Sequence, residues 1–194
     1  MSFVERKTVY FRNCGEENTD ALLKLVKTYA QNEGVKDIVV ASTRGYTGVK
    51  VSKMFKGLNV VVVTHHAGFR GFGQNELEEK NRKKILKNGV KILTATHALS
   101  GIERAVRKKF ATIMPLEIMA HTLRLFGEGT KVCVEIAVMA ADAGLISEDK
   151  EIISIAGTGR GADTALVIKP ACTARFFDLE VREIIAKPRN IPKD

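Results

Sequence analysis

The sequence lacks a long hydrophobic run. A membrane-spanning helix needs roughly 18 consecutive apolar residues, and the nearest candidate, residues 132–145, contains Glu135 and Asp142. The N-terminal residues are charged within a few positions, and no small-residue cleavage site follows an apolar stretch, so no signal peptide is expected. The sequence therefore predicts a cytoplasmic protein that makes no contact with a membrane.

Cysteine is also scarce. Cys14, Cys133 and Cys172 are odd in number and widely spaced, which argues against a disulfide scaffold and suits a reducing compartment. The common H-E-x-x-H, Walker A and G-x-S-x-G motifs are missing. No cysteine or acid stands at ligand spacing from a histidine, so no metal site is expected.

Positive charge is the one bias in the composition. The formal net charge is +9, but the basic residues are dispersed along the chain. The densest group, residues 75–87, has its acids first and its bases last, the order that a helix macrodipole favours, and Asn75 with Glu78 resembles a capping pair. A nucleic-acid partner is therefore not expected.

Predicted strands and helices alternate along one domain, residues 1–194. The patterns predict strands at 8–11, 38–41, 58–64, 90–94, 151–156, 165–169 and 181–186, and helices at 19–33, 47–56, 75–87, 100–110, 115–126 and 130–143. Ser100 and Glu103 form a capping-box pattern, and Gly34 and Gly144 end two helices. This order predicts an α/β fold, a three-layer αβα sandwich with a mostly parallel sheet.

Residues 37–48 join a β-branched strand to a helix through small and hydroxylated residues. Ser42 and Thr43 offer hydroxyl groups, Arg44 a bidentate fork and Gly45 close backbone approach, while Thr47 would cap the helix beside a bound phosphate. The alternative is an ordinary turn with a polar cap. We favour an anion site, because a turn alone needs neither the arginine nor so many hydroxyl groups.

A second glycine-rich loop occupies residues 157–164. It matches a G-x-G-x-x-A fingerprint, but a dinucleotide-binding fingerprint follows the first strand and opens a helix, whereas this loop precedes a strand. It remains a second candidate anion contact, or else a hairpin turn. The residues concerned are Gly157, Thr158, Gly159, Arg160, Gly161, Asp163 and Thr164.

Histidines follow the third and fourth predicted strands. His65, His66 and His97 are candidates for acid–base catalysis or for hydrogen bonds to a ligand, or they are ordinary polar loop residues. Residues 65–74 alternate glycine with Phe69 and Phe72 and predict a mobile flap. Tyr46 and the two phenylalanines could stack on a planar ring. His121 lies within a helix pattern and is predicted to be structural.

With both loops in view, the chain resembles the C-terminal domain of pyruvate kinase, as a free-standing, archaeal-type member of that family. The likeness is strongest over residues 37–55 and 132–170. It implies that Ser42, Thr43, Arg44, Gly45 and Thr47 hold one phosphate and that residues 157–164 hold the other end of the ligand. The catalytic barrel of the kinase is missing, so pyruvate kinase activity is not expected.

The resemblance implies flavin mononucleotide (FMN) as the leading ligand. Residues 65–129 look longer than in the kinase, and a pocket bounded by His65, His66, Gly68 and His97 would suit a mononucleotide with a planar ring. Thr96 is a further candidate contact of the ligand. The alternatives are a flavin-dependent oxidoreductase that uses the histidines and a regulatory module that binds a sugar phosphate. The apolar segment 114–126 could be core or the interface of a homo-oligomer.

Overall fold

The structure, a computed structural model that describes residues 3–191, is built around one seven-stranded sheet. Its strands are β1 (Val9–Phe11), β2 (Asp37–Ala41), β3 (Asn59–Thr64), β4 (Lys91–Thr94), β5 (Ile152–Ala156), β6 (Thr164–Lys169) and β7 (Glu180–Pro188). They lie side by side in the order β1-β7-β6-β5-β2-β3-β4. All seven predicted strands are confirmed, with ends that differ by one or two residues.

The sheet is mostly parallel, as predicted, with one reversed strand. The pairs β1–β7, β2–β3, β2–β5 and β3–β4 are parallel, whereas β6 runs antiparallel to both β5 and β7. The reversal of β6 follows from the short connection after β5, because a seven-residue loop can form a hairpin but cannot cross over to a parallel neighbour.

Helices cover both faces of the sheet. They are α1 (Thr19–Glu33), α2 (Tyr46–Met54), α3 (Glu79–Lys87), α4 (Glu103–Phe110), α5 (Pro115–Arg124) and α6 (Glu128–Asp142), with 3-10 turns at Glu16–Asn18 and Thr173–Asp178. Ile38 and Val40 of β2 pack towards α1 and α2, and Val39 packs towards α6 on the other face. The three-layer αβα sandwich is therefore confirmed.

Two predicted helix starts are wrong. The helix predicted from Asn75 begins at Glu79, because the Asn75 side chain accepts a hydrogen bond from the Leu77 N–H and forms a turn before the helix. The helix predicted from Ser100 begins at Glu103, without a side-chain cap. Glu103 instead accepts a hydrogen bond from the Leu116 N–H at the start of α5. Asn75 is thus used by a local turn, and Glu103 by a tertiary contact.

The carboxyl ends of β2, β3, β4 and β5 meet at one edge of the sheet, since the four strands are parallel neighbours. This edge receives the loops that contain Ser42, His65, His97 and Gly157. The loop of residues 65–74 holds no helix or strand. Among residues 3–191, no helix is both long and apolar enough to cross a membrane.

Candidate functional site

A cleft of about 1170 Å³ lies over the carboxyl edge of the sheet, with α4, α5 and α6 on its far side. Eleven of the residues predicted from the two loops and the histidines line it. They are Ser42, Thr43, Arg44, Tyr46, Thr47, His65, His97, Gly157, Gly159, Arg160 and Gly161. The fold thus brings both glycine-containing loops and two of the three histidines to one site. Ligands of α/β sheets commonly bind at this edge.

The loop after β2 leads straight into the N-terminus of α2. The Ser42 hydroxyl accepts a hydrogen bond from the Gly48 N–H at 2.9 Å, and the Ser42 N–H donates to the Val63 carbonyl at 2.9 Å. Ser42 is therefore buried, and its hydroxyl is already paired with the first turn of α2, whose N-cap position is Gly45 rather than the predicted Thr47. Thr43 and Arg44 are the side chains of this loop that remain accessible beside the positive end of the helix.

Gly45 is required by packing rather than by close approach of a ligand. Its φ of 92° is left-handed, and a Cβ there would lie 2.6 Å from the Cβ of Asn81 and 2.8 Å from Leu77. The Asn81 side chain also donates to the Arg44 carbonyl at 2.9 Å. Helix α3 therefore fixes the shape of this loop from behind.

The second glycine-rich loop is a hairpin between β5 and β6, so the dinucleotide fingerprint has no structural counterpart. Its far end packs on the N-terminus of α1, where the Ala162 N–H donates to the Thr19 hydroxyl at 2.9 Å. Gly161 has a φ of 72°, and a Cβ there would lie 2.5 Å from the Cα of Glu16. This contact orients Gly157, Gly159 and Arg160 towards the cleft.

Three predicted ligand residues of this loop, Thr158, Asp163 and Thr164, do not line the cleft. Asp163 is fully buried and accepts hydrogen bonds from the N–H groups of Gly15 and Thr158, each at 3.1 Å. The Thr164 hydroxyl donates to the other oxygen of Asp163 at 2.8 Å. Asp163 and Thr164 therefore hold the loop against the N-terminal segment, and a ligand in the cleft would not reach them.

The three histidines form one cluster around Phe69. The His97 ring centroid lies 5.3 Å from those of both His65 and His66, and the Phe69 ring lies 4.0 Å from His65. The Arg104 guanidinium stands 4.2 Å from the centre of the Phe69 ring. Of the three predicted stacking residues, Tyr46 and Phe69 line the cleft, whereas Phe72 is fully exposed.

Burial lowers the pKa of His97 to about 4, and the nearby His65 and Lys131 act in the same direction, whereas Glu135 opposes them. His97 is therefore a neutral imidazole at neutral pH. The His66 ring contacts the His97 ring edge-on. His66, Gly68 and Thr96, which were also predicted to contact the ligand, do not line the cleft.

His121 is not a structural residue of a helix interior. Its side chain is 63% exposed on α5 and lines the rim of the cleft, 3.9 Å from Glu117. Within residues 3–191, no three histidine, cysteine, aspartate or glutamate side chains are arranged to hold a metal ion.

Several charged residues of the site were missed in the sequence. Lys131 and Glu135 form an ion pair of 2.6 Å that is almost fully buried in the cleft wall, and Glu135 also accepts from the Leu99 N–H. Two charges four residues apart in an otherwise apolar helix are the signal that could have identified them. Glu76, which binds His65, and Arg104, which covers Phe69, follow no local pattern.

The cleft holds more unpaired positive charge than negative charge. Its other arginines are neutralised, since Arg70 lies near Glu76, Arg107 near Glu117 and Arg124 near Glu128. In the part of the chain that the structure describes, Arg44, Arg104 and Arg160 have no ion-pair partner; all three line the cleft. Unpaired guanidinium groups at a helix N-terminus attract an anion.

Comparison with known proteins finds the pyruvate kinase alpha/beta domain, whose family model matches residues 20–168 and so includes both loops. The chain is similar to Cryptosporidium parvum pyruvate kinase in complex with ADP, with 16% identity and a TM-score of 0.38, over 77% of this chain and 22% of that chain. It is also similar to a variant of a hydrogen sulfide-producing enzyme, with 23% identity and a TM-score of 0.28, over 56% of this chain and 29% of that chain. The chain thus spans less than a third of either protein.

Proposed function

The chain belongs to the pyruvate kinase alpha/beta domain family, and on that premise we propose that it binds a phosphorylated small molecule, FMN first, across the two loops at the carboxyl edge of the sheet. One observation carries this proposal. Arg44 and Arg160, one from each loop, line the same cleft, and neither has a carboxylate partner within residues 3–191.

The phosphate end of the ligand belongs at the loop after β2. Backbone N–H groups at the start of α2, the Thr43 hydroxyl and the Arg44 guanidinium are donors, and the helix dipole favours negative charge there. The Arg160 loop supplies donors from the opposite side of the cleft. No carboxylate from either loop lines the cleft, because Asp163 is buried behind its own loop.

The ring end of the ligand belongs near the histidine cluster. His65, Phe69 and His97 give this part of the cleft flat, partly apolar surfaces that suit a planar heterocycle. A cleft of about 1170 Å³ has room for a mononucleotide. When bound, a flavin would supply hydride and electron transfer, which the protein's own side chains do not.

Visible absorbance of the purified protein, followed by mass spectrometry of what denaturation releases, tests the identity of the ligand. A flavin spectrum and a released mononucleotide would support FMN. If the protein is colourless and does not bind added FMN, the flavin assignment is wrong. A thermal-shift screen of sugar phosphates would then test the regulatory alternative.

Replacing Arg44 by Ala tests the phosphate assignment. We expect FMN binding to weaken by about 1.5–3 kcal/mol, the range for loss of a charged hydrogen-bond partner. Fluorescence titration measures the affinity, and Arg82→Ala is a matched control because Arg82 lies on α3 outside the cleft and is half exposed. Equal affinity in the two variants would remove Arg44 from the phosphate site.

An oxidoreductase is the second candidate, favoured by the position of His97 in the same cleft. Its neutral imidazole can accept or donate a hydrogen bond beside a bound ring. Once a flavin-dependent reaction of the unchanged protein is found, its turnover can be measured in a His97→Gln variant. A variant that still binds flavin but loses this turnover would favour a catalytic role for His97, whereas unchanged turnover would count against that role.

The apolar segment at residues 114–126 bears on oligomeric state. Ile118 is 57% exposed and Leu125 is 76% exposed, so much of this segment is not core of the single chain. A homo-oligomer through this segment stays a prediction, and sedimentation equilibrium of the purified protein measures its oligomeric state. A cytoplasmic location also stays a prediction.

A further inference from the structure

Thr43, His65 and Glu76 form a row of hydroxyl, imidazole and carboxylate groups at the cleft. The Thr43 hydroxyl oxygen lies 3.3 Å from Nε2 of His65, and Nδ1 of His65 lies 2.7 Å from a Glu76 oxygen. Thr43 and His65 come from neighbouring strand ends, and Glu76 comes from the segment between the flap and α3. No sequence motif joins the three residues.

The protons of this row can be counted. Both oxygens of Glu76 face hydrogen-bond donors, because one lies 3.2 Å from Arg70 and the other lies 2.7 Å from Nδ1 of His65. Nδ1 of His65 must therefore carry a proton. In the neutral imidazole, Nε2 is then a bare acceptor, and the Thr43 hydroxyl must donate its single proton to it.

This arrangement makes Thr43 a poor partner for phosphate while His65 is neutral. With its proton turned to His65, the Thr43 oxygen presents only lone pairs to the cleft, and phosphate oxygens are acceptors as well. Once His65 is protonated at both nitrogens, Nε2 donates to Thr43, and the Thr43 proton is available for the ligand. Glu76 accepts the Nδ1 hydrogen bond in both states, and a carboxylate in this position favours the imidazolium.

We propose that binding of a phosphate group beside Thr43 is coupled to the uptake of one proton by His65, and that Glu76 is the positioning residue that enforces this coupling. The inference rests on the proposed phosphate site at the loop after β2. It deepens that function, because it makes the donor or acceptor state of the Thr43 hydroxyl depend on the protonation of His65.

Groups of both charges surround His65, so the net charge around it does not by itself favour protonation. The coupling of phosphate binding to protonation therefore depends on the hydrogen bonds of His65 with Thr43 and Glu76. Glu76 and Arg70 face it from the flap side, and Arg44 lies on the neighbouring loop. The neutral His97 ring lies 5.3 Å from the His65 ring, and the His66 ring lies 5.3 Å from that of His97. Arg104 covers Phe69, which contacts His65, and Lys131 and Glu135 neutralise each other in the cleft wall.

Isothermal titration calorimetry of the full chain at about pH 8, in buffers of different ionisation enthalpy, counts protons directly. At this pH a phosphate monoester is a dianion and histidines are mostly neutral. We expect FMN and inorganic phosphate each to bind with uptake close to one proton per site. Affinity should then fall about tenfold for each further unit of pH.

Variants separate this coupling from a general loss of structure. The Thr43→Val and His65→Gln variants should bind ligand with proton uptake close to zero. The Thr43→Ser variant keeps a hydroxyl and should show the uptake of the unchanged protein, and the Glu76→Gln variant should show a smaller uptake. Arg82→Ala is the control and should keep full uptake, because Arg82 lies on α3 outside the cleft. A merely structural Glu76 would change affinity in its variant but leave the proton count unchanged.

The outcomes distinguish this inference from the proposed function. FMN binding with no proton uptake would leave the proposed function standing and overturn the coupling. Uptake with inorganic phosphate but no binding of FMN would keep the coupling and overturn the flavin assignment. Binding of neither ligand would overturn both.

Discussion

Lys131 and Glu135 illustrate, at the scale of single residues, how much of the cleft wall depends on one pairing. Their side chains are 9% and 4% exposed, and Glu135 also receives the Leu99 N–H. A buried carboxylate is tolerated only while it is paired. The pair therefore holds the wall of the cleft behind His97.

Replacing Lys131 by Met should lower the free energy of unfolding by about 3–5 kcal/mol, because the change leaves the Glu135 carboxylate buried without its counter-charge. Urea unfolding at neutral pH measures the loss. Lys50→Met is the matched control, since Lys50 pairs with Asp20 where the side chains are 49% and 70% exposed, and it should cost less than about 1 kcal/mol. Similar losses in both variants would contradict the structural role of the buried pair.

At the scale of elements, the β5–β6 hairpin is placed by its contact with α1. Two glycines of the loop have nearly the same backbone conformation, with φ values of 74° at Gly159 and 72° at Gly161. They differ in the room available for a side chain. A Cβ at Gly159 would meet nothing within 4 Å, whereas a Cβ at Gly161 would lie 2.5 Å from the backbone of Glu16. The two positions therefore separate backbone strain from packing.

Gly159→Ala should lower the free energy of unfolding by about 1–2 kcal/mol, the cost of a left-handed alanine. Gly161→Ala should cost that amount and about 1–3 kcal/mol more, because the loop must move off α1. Urea unfolding of the two variants side by side measures the difference. If both lose the same amount, the hairpin is not held by this contact.

At the scale of the whole molecule, the cleft joins loops that lie more than a hundred residues apart in the chain. Arg44 and Arg160 reach it from opposite sides, and both loops depend on neighbours elsewhere, Asn81 for the first and Thr19 for the second. A ligand that contacts both loops binds only the folded chain. Its binding free energy therefore adds to stability.

FMN at 100 times its dissociation constant should raise the free energy of unfolding by about 2.7 kcal/mol. Urea unfolding with and without FMN measures this gain. Riboflavin, which lacks the phosphate, is the control and should stabilise the protein much less at the same concentration, because the arginines lose their partner. Equal stabilisation by the two compounds would place the phosphate outside the arginine site.

The sequence by itself determined the elements and much of the site's composition. β-branched runs such as residues 60–63 became buried strands, Gly34 and Gly144 followed the ends of α1 and α6 with left-handed φ values of 69° and 64°, and the polar residues after four strands reached one edge. These features follow from local periodicity and backbone preference, which neighbouring residues encode.

Which polar side chains face the cleft, and which support it from behind, depends on long-range packing. Asn75 and Glu103 have the residue types of helix caps but contact other partners, and Asp163 has the type of a ligand but is buried under its loop. Glu76 gains its role because it meets His65 across the flap. A side chain's partner depends on distance in space after folding, and residue type and local spacing do not encode that distance.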